Sequence, residues 1–553
     1  MNPGLNSREG DTGMDSESLV TTKPGILSNN NRNSVREEIM LERERTGHAS
    51  VASEAHFKKD LGWLGLFAAG YNMTSCWLVI AATMTISLPY GPMATSWGII
   101  IIIPVYLCVS LTLAELISVY PTTGGQYHWA SILAPPRVRR VMSYMTGFIS
   151  WFAWITLAAA SCGAIGTTCK SLIYYAEPDY EVQAWHNFLF YEATVVFAFS
   201  LNLFGKKLLS AIYSGIFMLS ITSFVVFTAV TLAMQKTRQS SEVVWTSSTE
   251  GSGWPTGVQV LIALASPTIA FCPIDGSVHL IEEVKNPRRV VPRAVIAAYV
   301  IASGTALLFV LSMLYSVSDY SSVLSTPSGF PPFEIWRQAS NTGVVPIVFT
   351  AVCICLLPIG TTATLQVTSM MTWSLAGDGA LAFKRHLSRV HPGLNAPVWA
   401  LFLNLFLLFL IGCLYLFSNL AYNSIVGVAA ILQQITFCVP AALLLWHRRS
   451  PDVLPRGKGM RLPGWVGWVA NIGTIAFTFV STSMMFFPPA TNPDSSTMKS
   501  STRVKKLAAV ANKGRSTDYA CVVVGGILVL GTLNWVFYAR KNYAGPVAII
   551  LHD

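Results

Sequence analysis

Runs of roughly 20 apolar residues recur twelve times along this chain, and no other feature restricts its fold so strongly. They lie at about 63–88, 95–119, 141–171, 186–204, 208–234, 256–284, 293–317, 344–376, 397–417, 421–446, 464–487 and 519–539. A helix of that length crosses the roughly 30 Å hydrocarbon core of a bilayer. The chain is 52% hydrophobic and only 12% charged, where soluble domains carry about 25% charged residues. The expectation is an all-α, multi-pass membrane protein. The runs at 141–171 and 344–376 exceed the crossing length, which implies strong tilt or helical extensions.

The formal charge of +10 is not a nucleic-acid signature. Residues 1–60 hold eight Lys/Arg and ten Asp/Glu, and they read as a disordered tail rich in Ser, Asn and Gly. They lack the apolar core of a cleavable signal peptide, so the first span directs insertion. The cationic excess sits in alternate short loops: Arg137, Arg139 and Arg140; Lys206 and Lys207; Lys285, Arg288, Arg289 and Arg293; Lys384, Arg385 and Arg389; Arg448, Arg449, Arg456, Lys458 and Arg461. The opposite loops before residue 488 hold Lys170, Lys236, Arg238 and Arg337. This bias puts both termini, including the short end 546–553, in the cytoplasm. Residues 488–518 disagree, since Lys499, Arg503, Lys505, Lys506, Lys513 and Arg515 would lie outside. An insertion or a gene-model artefact explains that loop better than a different topology. The ten cysteines fall inside apolar runs without paired spacing, so no disulfide framework is expected. No metal, cofactor or nucleophile–base motif is present, which argues against an enzyme.

Two runs are interrupted. In span 6, "AFCPIDGSVHLIEEV" (270–284) places Pro273, Asp275 and Gly276 at membrane depth. A Pro in a helix interior costs about 3 kcal/mol, and a central Asp about 2.5–3.5 kcal/mol on insertion scales. Such backbone is tolerated where it is buried in protein or lines a wet cavity. Span 6 is therefore expected as two half-helices, about 256–271 and 276–284, joined at "CPIDG". Span 1 carries a weaker interruption at Gly70, Asn72, Thr74 and Ser75. Interrupted spans at matching places in two halves point to a transport site, here in inverted repeats of five spans at 63–234 and 256–446, followed by spans 11 and 12 at 464–539. Helix ends carry partial charge. Amide N–H groups near Ser75, Cys76 and Trp77 suit a carboxylate. Carbonyls near Ala270, Phe271 and Cys272 suit an ammonium or another organic cation, so a zwitterion could bridge the breaks.

"SLTLAELISVYPTTGGQYHWASILAPP" (110–136) and "DGSVHLIEEVKNPRRVVPRAV" (275–295) resemble the amino acid–polyamine–organocation superfamily, in particular its fungal amino acid/choline branch of GABA and choline permeases. "NMTSCW" (72–77) and "FPPATNP" (487–493) fit the same branch, and the likeness covers about 60–545. The resemblance implies the twelve-helix fold of bacterial leucine and arginine transporters. It also implies a central site at the breaks in spans 1 and 6, and secondary transport, usually proton-coupled in fungi. Three departures stand out. "GDGALAF" (377–383) lacks the Arg and Pro often found there, Ile274 stands where relatives carry Tyr, and the loop after span 11 is longer.

The substrate-binding candidates are Asn72, Thr74, Ser75, Cys76, Trp77, Ala270, Phe271, Cys272, Asp275 and Gly276. Each has a plainer reading. Asp275 either contacts a cation and couples protons, or caps the second half of span 6. Asn72, Thr74 and Ser75 line the site or satisfy freed backbone groups. Trp77 and Phe271 hold a quaternary ammonium or simply pack. Glu115, Glu282 and Glu283 pair with loop arginines as a gate or brace. Glu192 and His279 are proton-relay candidates, with packing as the alternative for His279. The hydroxyls of Thr361, Thr362 and Thr364 are helix-packing groups or a cation site. The expected partners are a small nitrogenous solute, protons and the lipid of a plasma or vacuolar membrane. A sensor on the same fold is the alternative from another class.

Overall fold

A computed structural model describes residues 59, 61–177, 179, 183–248, 253–455, 459–485 and 517–546. The tail 1–58, most of the basic loop 488–518, the "FPPATNP" segment and residues 547–553 lie outside the described residues. Among the described residues, twelve helices are long and apolar enough to span a bilayer. They are Trp63–Tyr90, Pro92–Val119, Arg139–Ala176, Ala184–Phe204, Leu209–Met234, Thr256–His279, Pro287–Ser316, Val344–Gly377, Val398–Phe417, Ala421–Trp446, Gly464–Met484 and Ala520–Asn542, here spans 1 to 12. They match the twelve apolar runs nearly one for one. Spans 3 and 8, at 38 and 34 residues, are the long ones, as their sequences required.

Position in the bundle follows composition. In its most apolar stretch span 1 is 89% buried and span 12 only 22%, so polar interruptions fall in the central helix and unbroken apolar faces point outward. Phe204, Phe417, Trp446, Phe479 and Phe537 are among the exposed aromatic side chains. Span 2 packs along span 7, span 3 along span 8 and span 4 along span 9. A short helix, Gln126–Leu133, lies between spans 2 and 3 and packs on spans 3 and 10. It starts after Gly125, whose φ of +53° is a conformation that glycine adopts without a Cβ penalty.

The Lys/Arg-rich loops share one end of the bundle, the basic end. There the segment before span 1 pairs with the end of span 6: Leu61 N donates to Glu283 O at 3.0 Å, and Leu61 bridges Val284 in parallel. The stretch after span 12 closes over the same end. Tyr543 is fully buried, its hydroxyl is 2.7 Å from Ser143 Oγ, and Arg140 Nη2 donates to its carbonyl at 2.6 Å.

Candidate functional site

Span 1 is helical over Trp63–Thr74 and again over Cys76–Ser87. Between them Ser75 adopts φ 26° and ψ 51°, a left-handed conformation uncommon for a residue with a Cβ. Thr74 Oγ1 donates to the carbonyls of Gly70 and Tyr71, groups at the end of the first segment. The break is thus one residue wide, and the hydroxyl before it bonds back to its own helix.

Span 6 is interrupted differently. Its α-helix ends at Phe271, and Cys272–Asp275 form a 3-10 turn in which Pro273 leaves helical geometry at ψ 24°. Gly276–His279 is one α-turn, and Ile281–Glu283 is a second 3-10 turn before extended Val284. The expected half-helix 276–284 is therefore shorter than the sequence suggested. A further break falls at Leu264, between Thr256–Ala263 and Ala265–Phe271. The physical reason is anchoring: Asp275 and His279 bond to residues of other elements as well as to each other.

Asp275 shows this most clearly. It is fully buried, and it makes no side-chain cap bond although it precedes Gly276–His279. The cap reading is corrected accordingly. Its Oδ2 instead accepts from Gln126 Nε2 and Gln433 Nε2, both at 2.6 Å, and lies 3.1 Å from His279 Nε2. His279 Nδ1 is 2.7 Å from the Thr123 carbonyl. A carbonyl only accepts, so Nδ1 carries a hydrogen. The contact between Nε2 and Oδ2 then needs one more proton, on the imidazole or on the carboxyl. The two groups meet in a site without solvent contact, with Trp154 edge-on to the imidazole at 5.6 Å between ring centroids.

Spans 1 and 6 approach closely here. A Cβ at Gly276 would lie 2.6 Å from Met73 Sδ, and one at Gly70 only 2.3 Å from Ser277 Oγ. Cys76 Sγ lies 3.4 Å from the Ala270 carbonyl, and Cys272 Sγ 3.9 Å from that of Ala429. Asn72 Nδ2 donates to the Tyr213 carbonyl, leaving Oδ1 without a partner. The structure thus brings together Asn72, Thr74, Ser75, Cys76, Ala270, Cys272, Asp275, Gly276 and His279. Two aromatic candidates are packed instead. Trp77 donates to Ser220 Oγ and meets Phe224, Phe227 and Phe309. Phe271 stacks near Tyr106 and Tyr299. Glu192 stands apart, against Gly412 of span 9, and is not joined to this cluster. Thr361, Thr362 and Thr364 back-bond to carbonyls of their own helix, which is the packing reading.

The acidic residues at the basic end act as braces. Both Glu115 oxygens accept from Arg449 Nη2 at 2.7 Å, and Leu462 N adds a third bond. Glu283 pairs with Lys206 at 2.8 Å and accepts from Gln366 Nε2, where an arginine was expected. Gln366 Oε1 in turn accepts from Tyr213 OH. Glu282 is exposed and accepts from Thr123 Oγ1 rather than from an arginine. Gln126, Gln433, Trp154 and Lys206 were missed as site residues. The sequence did hold a signal for one of them: Gln433–Gln434 is a pair of amides inside an apolar run, which lipid-facing helix does not tolerate without partners.

Twelve packed helices of spanning length, with a buried ionisable pair at an interrupted helix, define a polytopic membrane protein. The amino acid permease family model matches residues 61–502, and the chain belongs to that family. It is 27% identical over 523 residues to the choline transporter of Saccharomyces cerevisiae, covering 92% of this chain and 87% of that one. It is 28% identical over 503 residues to the transmembrane transporter swnT of Metarhizium robertsii, covering 88% and 92%. Among solved structures, a manganese transporter of Eremococcus coleocola matches with a TM-score of 0.50 at 15% identity, covering 86% of this chain and 94% of that one. That last likeness shows the fold alone.

Proposed function

We propose that the chain is a secondary carrier for a small nitrogenous solute such as an amino acid, GABA or choline, working by alternating access and coupled to protons. The solute sits between the two breaks, with carboxylate-binding amides at Cys76 and Trp77, since Ser75 N already donates to the Tyr71 carbonyl, and cation-binding oxygens at Ala270–Cys272 and Asp275. The basic end, tied shut by Leu61–Glu283 and Lys206–Glu283, opens to release it into the cytoplasm. The plasma membrane is the first location to test and the vacuolar membrane the second. Spans related by five positions pack on each other, 2 with 7, 3 with 8 and 4 with 9, as the two halves of an inverted repeat would across their shared axis.

One observation supports the coupling: Asp275 Oδ2 and His279 Nε2, both fully buried, lie 3.1 Å apart beside the span 6 break. Besides His279, the buried Tyr106 and Cys272 lie within reach of the Asp275 charge, and Glu282 lies beyond Thr123. Uptake of labelled GABA and choline, in cells lacking their own carriers, tests the reading at acidic and neutral pH. Faster uptake in acid, with the pH difference abolished in Asp275→Asn, is the expected result. Unchanged uptake and pH dependence in that variant would overturn the coupling role. Absence of uptake for every solute, with nutrient signalling intact, would favour a sensor. The choline transporter relative supports a second reading, a carrier for quaternary cations.

A further inference from the structure

The anchoring of Asp275 leaves a specific chemical residue. Gln126 and Gln433 both spend their amide nitrogens on one carboxylate oxygen, Oδ2. Each amide presents its nitrogen, the donor, to the carboxyl oxygen. Three oxygens then remain without a partner: Asp275 Oδ1, Gln126 Oε1 and Gln433 Oε1. All three side chains are 0% exposed. An unpartnered buried acceptor is costly, so three on side chains that meet at one carboxyl group form an unusual concentration of unmet demand. The side chains come from three separate elements: span 6, the short helix Gln126–Leu133 and span 10. What would meet the demand is a cation that brings N–H donors. Trp154 Nε1, on the ring that faces His279, is an unpartnered donor in the same neighbourhood and suits an oxygen of the same solute.

We infer that Asp275 Oδ1, Gln126 Oε1 and Gln433 Oε1 form a subsite for a substrate ammonium that carries N–H groups, and that the subsite discriminates against quaternary ammonium. The inference deepens the carrier reading and rests on it for the substrate's route to the site. A primary ammonium has three N–H donors for three acceptors. A trimethylammonium of the same charge has none, and it leaves the oxygens buried and unpartnered. The charge of Asp275 attracts both; the hydrogen bonds separate them.

Matched pairs of probes isolate that difference: ethanolamine against choline, glycine against glycine betaine, and γ-aminobutyrate against its trimethylammonio derivative. Two readouts are taken on the full chain, uptake into carrier-deficient cells and ligand-induced thermal stabilisation of the purified protein. Where the protein responds to a pair, the amine member is expected to act at concentrations about tenfold or more below its methylated partner, because sites built for hydrogen bonds reject analogues that lack them. Gln433→Met and Gln126→Met each narrow that ratio to under about threefold, since either removes one acceptor. Stabilisation by the amines without uptake keeps the subsite and removes the carrier reading. Equal or stronger responses to the methylated members, no stabilisation by any amine, or equal stabilisation by sodium chloride alone each overturn the subsite. A folded Gln433→Met protein that keeps the full ratio overturns it as well.

Discussion

In span 1 the helix is interrupted at one residue, and the interruption lives in the backbone: Ser75 turns left-handed, and the Thr74 hydroxyl bonds back to carbonyls of its own helix. In span 6 four residues tighten into a 3-10 turn, and the interruption lives in side chains: Asp275 reaches Gln126 and Gln433 on other elements and His279 on its own. The first break is local and would form wherever its sequence is helical. The second is held by the bundle around it. A carrier has a use for both kinds. A backbone break gives fixed dipoles, while an anchored break can be released when its partners move.

The difference can be broken or sharpened by substitution, with stability read from melts of the purified protein. Asp275→Leu has the largest effect expected, about 3–5 kcal/mol, because it strands two amide donors and an imidazole N–H in a buried site. Ser75→Ile comes next, at about 1–3 kcal/mol, since a β-branched residue resists φ 26°. Ser75→Gly accepts that conformation and stays near wild type. Thr74→Val loses hydroxyl bonds to two carbonyls, for about 1 kcal/mol. Pro273→Ala has the smallest effect, below about 1 kcal/mol in either direction, because the turn is held by Asp275 rather than by the ring. A Pro273→Ala loss as large as that of Ser75→Ile would make both breaks backbone devices and end the comparison.

The twelve spans were legible because lipid sets one length scale, and each apolar run meets it independently of the others. The site was half legible. Gly70, Ser75, Pro273 and Asp275 violate helix rules visibly, so their places could be read. The partners of Asp275 and His279 could not, because Gln126, Gln433 and Thr123 lie about 150 residues away in the chain and meet them only through packing. The same limit misplaced Trp77 and Phe271. An aromatic residue beside a break looks the same in sequence whether it faces a solute or, as here, other rings. Glu192 read as a relay residue for being ionisable at membrane depth, and only the packing of span 4 on span 9 separates it from the pair at span 6.

The most direct test is a density map of the protein with a transported solute bound. The solute is expected between residues 70–77 and 270–277, its ammonium against Asp275, with span 1 turning at Ser75 and span 6 at 272–275. Density for the solute elsewhere in the bundle, or continuous α-helix through both stretches, would contradict the account.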